Sequence, residues 1–268
     1  MFRRAAALLV AVGCCALACA HDSAGTPVAP SATAHPSVAS ARGAQARPVS
    51  DALIRRRVLL GRSVRRRPIV GYQIGDPDSS RRLLIVGCIH GDEPGGIDVV
   101  KLLSRMQLPA EADMWLLPNL NPDGVAATTR VNAHGVDLNR NFPYRWRPLG
   151  AVGSLHYAGP HPLSEPEARV AASFVRRIRP TLAVWYHQAL DVVDISQGPL
   201  SAERSYATAA RLPLQKLPDY PGSAVGYENH IVGPTAFVVE LPGTVTTSVA
   251  MANARAVMHI ATIADGSG

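Results

Sequence analysis

Five apolar runs, separated by polar or turn-forming residues, dominate the chain beyond residue 50. The strongest is Arg82-Leu83-Leu84-Ile85-Val86-Gly87-Cys88-Ile89, whose continuity predicts a strand buried on both faces of a parallel sheet. Residues 113–118, 181–186 and 236–241 predict three more strands, and residues 68–75 predict an edge strand closed by a turn at 76–80. Helices are predicted over residues 95–105, 164–177 and 247–261. The second of these opens on Ser164-Glu165-Pro166-Glu167, which reads as a Ser cap, a Pro in the first turn and a Glu completing a capping box. Strands alternating with helices predict an α/β fold, with a mixed, mainly parallel central sheet sandwiched by helices. No internal repeat is visible.

The pattern before residue 51 is different. Met1-Phe2-Arg3-Arg4 is followed by small and apolar residues from Ala5 to Ala18, a run too short to cross a bilayer but suited to a signal-peptide core. Ala16-Leu17-Ala18 supplies the small residues a signal peptidase needs, and Cys19 adds the option of lipid attachment, the one route to a membrane. Residues 1–19 are therefore expected to be an export signal. Residues 20–50, rich in Ala, Pro and Ser, are expected to form a disordered tether, and residues 51–268 one catalytic domain. The expected location is the periplasm, cell envelope or exterior, and the expected state is a monomer.

Three of the four cysteines fall in the leader, so Cys88 alone remains and no disulfide within the domain is possible. The net charge of +7 is carried almost wholly by Arg, and losing Arg3 and Arg4 would leave about +5. The Arg clusters at 55–57 and 65–67 lack interleaved aromatics, which argues against nucleic acid as a partner.

His90 follows the strongest strand, and Glu93 stands three residues later. Ligands of open α/β sheets bind at the carboxyl ends of strands, so this pair could be two metal ligands across a tight turn permitted by Gly91, or simply a polar turn. Trp185-Tyr186-His187 puts a second His directly after another apolar strand. Two His, one carboxylate and an open fourth position make a catalytic zinc set for one ion. Such a metal would activate water, and the reaction then needs a base. Glu240 supplies a carboxylate at the end of an otherwise apolar strand, where an acid rarely stands without a partner or a purpose.

Between these positions lie Asn121-Pro122-Asp123-Gly124, Arg130, and the run Asp137-Leu138-Asn139-Arg140-Asn141-Phe142. Tyr157-x-Gly159-Pro160 leads into Ser-Glu-Pro-Glu, and Phe237-x-x-Glu240-Leu241 closes the set. In that order the motifs resemble the zinc carboxypeptidase family, in particular its small bacterial murein peptide amidase branch, over roughly residues 68–245. The resemblance implies that His90, Glu93 and His187 hold zinc and that Glu240 is the general base. It also implies that Arg130 stabilises the oxyanion, and that Asn139 and Arg140 grip a substrate carboxylate, a role suited to the guanidinium fork. The mobile Tyr of larger members could be Tyr220 or Tyr227. Departures are Asp92 before Glu93 and Gln188 after His187; Ala224 and Val225, near the expected pocket, fix no charge preference. His134, His156, His161 and His230 show no ligand spacing.

The expected activity is zinc-dependent hydrolysis of an amide in a peptide with a free carboxylate, the expected target being a cell-wall peptide such as the γ-D-glutamyl–diaminopimelate bond of murein. The competing readings are an N-acyl amino acid deacylase of the aspartoacylase or succinylglutamate desuccinylase kind, and an inactive wall-binding module.

Overall fold

The computed structural model describes residues 56–109 and 111–262. The expected export signal, the tether and Cys19 lie outside the described residues. Among the described residues, seven strands run β1 (Arg56–Arg62), β2 (Pro68–Gly75), β3 (Arg82–Val86), β4 (Asp113–Leu117), β5 (Leu182–Asp194), β6 (Leu214–Gln215) and β7 (Ala236–Pro242). Six α-helices run α1 (Gly95–Leu103), α2 (Pro122–Ala127), α3 (Pro166–Ile178), α4 (Leu200–Ala210), α5 (Ala224–Val232) and α6 (Thr247–Thr262), with a short 3₁₀ turn at Leu138–Arg140.

The strands form one sheet in the order β1-β2-β4-β3-β5-β6, with β7 also paired to β5. β3/β4, β3/β5, β5/β6 and β5/β7 are parallel, whereas β1/β2 and β2/β4 are antiparallel. This is the mixed, mainly parallel sheet expected. Its central strands are continuous apolar runs because both faces are covered. One face packs against α1, α4 and α6 through Val99, Val100, Leu103, Tyr206, Ala254, Val257 and Ile260. The other packs against α3 and α5, with Phe174 set edge-on to Trp115 at 5.1 Å between ring centroids. Each fully buried Leu, Ile, Val or Phe in these layers contributes about 1.5–3 kcal/mol relative to exposure.

Several local expectations change. Residues 68–75 are not an edge, since β1 lies outside them, and its terminal arginines and Leu59 reach solvent, as a charged edge strand's side chains should. The 65–67 Arg cluster is partly structural: Arg65 N–H and the Arg67 guanidinium both bond Asp123, tying the β1–β2 turn to the Asn-Pro-Asp-Gly motif. The capping box does not form. Helix α3 has Glu165 at its N-cap without a side-chain cap, because Glu165 bonds Asn132 and His134 while Glu167 accepts from Val64 N–H and Asn132. Strand β5 does not stop at Tyr186 but continues to Asp194, with pairing irregularities against β7 between Ala189 and Val193. His187 therefore sits inside a strand, directly across from Glu240 on β7.

Candidate metal centre and cleft

The carboxyl end of β3, the middle of β5 at His187 and the end of β7 at Glu240 meet at one place. After β3, residues 87–94 form a loop in which Glu93 N–H donates to His90 O (3.1 Å), closing the turn that brings the Glu93 carboxylate back onto the His90 ring. Gly91 has a different role from the one expected. It is not in a left-handed conformation; a Cβ there would stand 1.9 Å from the Gly124 carbonyl carbon, so the loop packs backbone to backbone against α2.

Three donor atoms converge. Glu93 Oε2 lies 3.0 Å from His90 Nδ1 and 2.8 Å from His187 Nδ1, and the two ring nitrogens are 3.1 Å apart. Among the described residues, these three form the one cluster of its kind, each offering one ligand atom with all within 4.8 Å. Adjacent ligands of a tetrahedral zinc with bonds near 2.0–2.1 Å are separated by about 3.3 Å. The observed edges of 2.8–3.1 Å match to within about half an ångström. Its chemistry also fits, because two facing imidazole nitrogens and a carboxylate oxygen are all electron-pair donors.

Behind the triangle stands Asp137. Its Oδ1 accepts from His90 Nε2 (3.0 Å) and from Asn139 N–H, and its Oδ2 accepts from Arg130 Nε (3.1 Å). A proton fixed on His90 Nε2 leaves Nδ1 free to donate its electron pair. Burial drives both carboxyls up, but His187 and His90 beside Glu93, and His90 with Arg130 and Arg140 beside Asp137, hold both well below the usual carboxylate range. Burial likewise pulls His90 down, and Asp137 and Glu93 more than reverse it. Glu240 is the contrast: burial and the neighbouring Glu93 charge raise it despite His187 and His90, and its Oε2 has no hydrogen-bond partner among the described residues.

These side chains line a cleft of about 270 Å³. Arg130 reaches Glu93 Oε1 through Nη1 (2.9 Å). Arg140, almost fully buried, donates to the Asn139 carbonyl (2.8 Å), and its guanidinium carbon lies 4.0 Å from the centre of the Tyr220 ring. Gly222 makes that stacking possible, with φ +73° and the Arg140 carbonyl where a Cβ would be. Asn139 Oδ1 accepts from Ala224 N–H, and its Nδ2 lies 3.4 Å from His187 Nε2.

The structure thus gathers His90, Glu93, His187, Arg130, Asn139, Arg140, Tyr220 and Glu240 around one cleft. Tyr227 is elsewhere: it is buried against Phe142 and its hydroxyl accepts from Arg176. Val225 lines the cleft, whereas Ala224 serves it through the backbone N–H that holds Asn139. His134 pairs with Glu165, His161 faces the Pro162 carbonyl, His230 stacks on Tyr144, and the exposed His156 lies 3.5 Å from Asp137.

Three residues in or behind the cleft had no role predicted from the sequence. Asp137 was visible only as part of its motif. Gln188, a departure from the family pattern, bridges two elements: its Oε1 accepts from Gly95 N–H at the start of α1, and its Nε2 donates to the Pro242 carbonyl just past Glu240. Asp194, at the far end of β5, lies beyond the strand predicted over residues 181–186.

The sequence model described as "Zinc carboxypeptidase" matches residues 52–198, a span that holds all these positions up to Asp194 and ends before Tyr220 and Glu240. Murein peptide amidase A of Escherichia coli K12 is 31% identical over 182 residues, covering 63% of this chain and 70% of that protein. Its namesake from Vibrio campbellii is 34% identical over 148 residues, covering 50% and 58% respectively. Among solved structures, a murein-tripeptide amidase from Escherichia coli O157 superposes with a TM-score of 0.64 at 25% identity, covering 81% of this chain and 96% of that one. Carboxypeptidase A from Helicoverpa armigera superposes at 0.69 with 20% identity, covering 77% and 68%, which bears on the fold alone.

Proposed function

The chain belongs to the zinc carboxypeptidase family, and on that premise we propose that it is an exported peptidase that cuts a murein-derived peptide at its γ-D-glutamyl–diaminopimelate amide. The observation that carries this reading is the convergence of Nδ1, Nδ1 and Oε2 beside the Glu240 carboxylate, whose Oε2 has no partner, with two arginines lining the same cleft. The relatives named for murein peptides support the substrate, and the leader-like sequence over residues 1–19 supports export.

His90, Glu93 and His187 would hold one zinc ion, which supplies a Lewis acid that polarises the scissile carbonyl and lowers the pKa of water. Asp137 keeps His90 in the tautomer that exposes Nδ1. Glu240 takes a proton from the attacking water on a carboxylate oxygen and delivers it to the departing amine as the C–N bond breaks. Its raised pKa suits it to pass the proton on. Arg130 keeps donors beyond the two it spends on Glu93 and Asp137, and these stabilise the charge that develops on the carbonyl oxygen. Arg140 and Asn139 bind the free carboxylate, and Tyr220 stacks on Arg140 to close the cleft on that side.

The test compares turnover of γ-D-glutamyl–diaminopimelate peptides, ordinary C-terminal peptides and N-acetyl-aspartate. Preference for the first is the expected result. Preference for N-acetyl-aspartate would make the protein a deacylase, and no turnover of any would favour a binding module.

A further inference from the structure

Positive charge is concentrated on one face of the molecule. Helix α3 turns Ala171, Phe174, Val175 and Ile178 inward and leaves Arg169, Ser173, Arg176 and Arg177 exposed. At 3.6 residues per turn these four fall within about 100° of arc, so they form one stripe along the helix. The β1–β2 turn lengthens it. Val64 N–H donates to Glu167 (3.0 Å), and a Cβ on Gly61 would stand 2.4 Å from Val170, so strand and helix pack closely. The exposed Arg62, Arg65 and Arg66 are thereby brought beside the first turns of α3. Arg66 holds φ +65°, a conformation in which Gly or Asn is the usual residue.

No acid offsets this row. The neighbouring Asp123 and Glu167 are buried, and they accept from Arg65 N–H, the Arg67 guanidinium, Val64 N–H and Asn132. Among the described residues, β1, the 63–67 turn and α3 carry no exposed Asp or Glu, and Arg67 alone of their arginines has an ion pair. The other contacts are neutral: Arg62 donates to the Arg66 carbonyl, Arg169 to the Leu163 and Ser164 carbonyls, and Arg176 to the Tyr227 hydroxyl. Each uses one terminal nitrogen of a group with five N–H donors, so most donors still face outward. Like charges gathered without counter-charge repel, and an anionic ligand relieves that.

The row also indicates which anion. Guanidinium forks match phosphate oxygens in pairs. From Arg169 to Arg177 the stripe runs about 12 Å along α3 before the turn extends it, which suits a chain of phosphates better than a single one. Neither α3 nor the turn exposes a large apolar side chain that could enter a bilayer, and the one aromatic there, Phe174, is buried and cannot stack on a base. None of these arginines lines the cleft. We propose that the outer face of α3 and the β1–β2 turn form a docking surface for a linear phosphate polymer without bases, bound while the cleft stays open to its own substrate. This does not depend on the peptidase reading.

The experiment titrates the purified protein with long-chain inorganic polyphosphate over a range of salt, beside single-stranded DNA at equal phosphate and vesicles of anionic phospholipid. Polyphosphate should bind at least as tightly as DNA and more tightly than vesicles. Its log affinity should fall linearly with log salt. Replacing Arg169, Arg176 and Arg177 together by Gln should reduce that slope by about 2 and weaken binding roughly 10- to 100-fold at low salt. Arg65→Gln with Arg66→Gln should reduce it by about 1.4. The Arg65 and Arg66 side chains make no hydrogen bond or ion pair among the described residues, so this second variant decides the matter if the denaturation midpoint of the first one falls. No binding of polyphosphate, or a slope and affinity that Arg65→Gln with Arg66→Gln leaves unchanged, overturns the proposal. Tighter binding to DNA would make the partner a nucleic acid, and tighter binding to vesicles a membrane, and either result overturns it as well.

Discussion

Trp185 and His187 stand two residues apart on β5, and each meets a buried carboxylate at 2.8 Å, yet the two carboxylates are in opposite states. In the core beneath the sheet, Glu228 of α5 accepts from the Trp185 indole N–H, has no partner for Oε1, and is pushed up to about 8 by burial. At the cleft, Glu93 is also largely buried but is held well below the usual range by two histidines. An indole N–H gives a hydrogen bond without a charge, whereas an imidazole can give both. Burial alone therefore does not make a functional carboxylate; the partners decide whether it stays ionised.

The sharpest way to break the contrast is at Glu240, the cleft carboxylate that resembles Glu228 in lacking a full set of partners. Glu240→Gln should lower kcat by about 10²–10⁴-fold with zinc binding retained, measured as turnover alongside metal content. Turnover kept within a few-fold would mean that another group is the base. A smaller effect is expected one layer out. Asp137→Asn removes the charged acceptor that orients His90 and should weaken zinc binding by about 10–100-fold in a chelator competition. Unchanged affinity would reduce Asp137 to a loop anchor.

The core partner supplies the other side of the contrast, read in stability and not in activity. The Glu228 pKa lies above its ordinary 4.5 in the folded protein, at about 8, so the native state holds the proton more tightly than the unfolded chain. Its stabilising contribution is complete below about pH 4.5 and is lost as pH rises toward 8. Glu228→Gln should therefore gain stability over the wild type between pH 5 and 8, by on the order of a few kcal/mol in denaturant midpoints compared at the two pH values. A difference that does not change with pH would leave Glu228 ionised in the core.

What could be read before folding follows the same division between burial and partners. Strands β3, β4 and β7 appear as apolar runs because both their faces are covered. β1 was hidden because an edge strand keeps arginines at its ends, and the second half of β5 because Gln188, Ala189, Leu190 and Asp191 mix polar with apolar residues, reach solvent and pair irregularly. His90, Glu93, His187 and Glu240 stood out as chemistry-bearing residues at the ends of apolar runs. Asp137 and Asp194 did not, because what sets them apart is which groups surround them after 47 residues separate His90 from Asp137, or a β5 terminus turns into a cleft. The Ser164–Glu167 capping signature misled because Glu165 and Glu167 found stronger partners in Asn132, His134 and Val64.

The most direct measurement removes the metal. The purified protein is stripped with chelator, its zinc content is determined, and γ-D-glutamyl–diaminopimelate hydrolysis is followed as zinc is added back. Convergence of His90, Glu93 and His187 predicts one zinc per chain, loss of turnover on stripping, and recovery that saturates at one equivalent. Turnover that survives complete removal of the metal would contradict it.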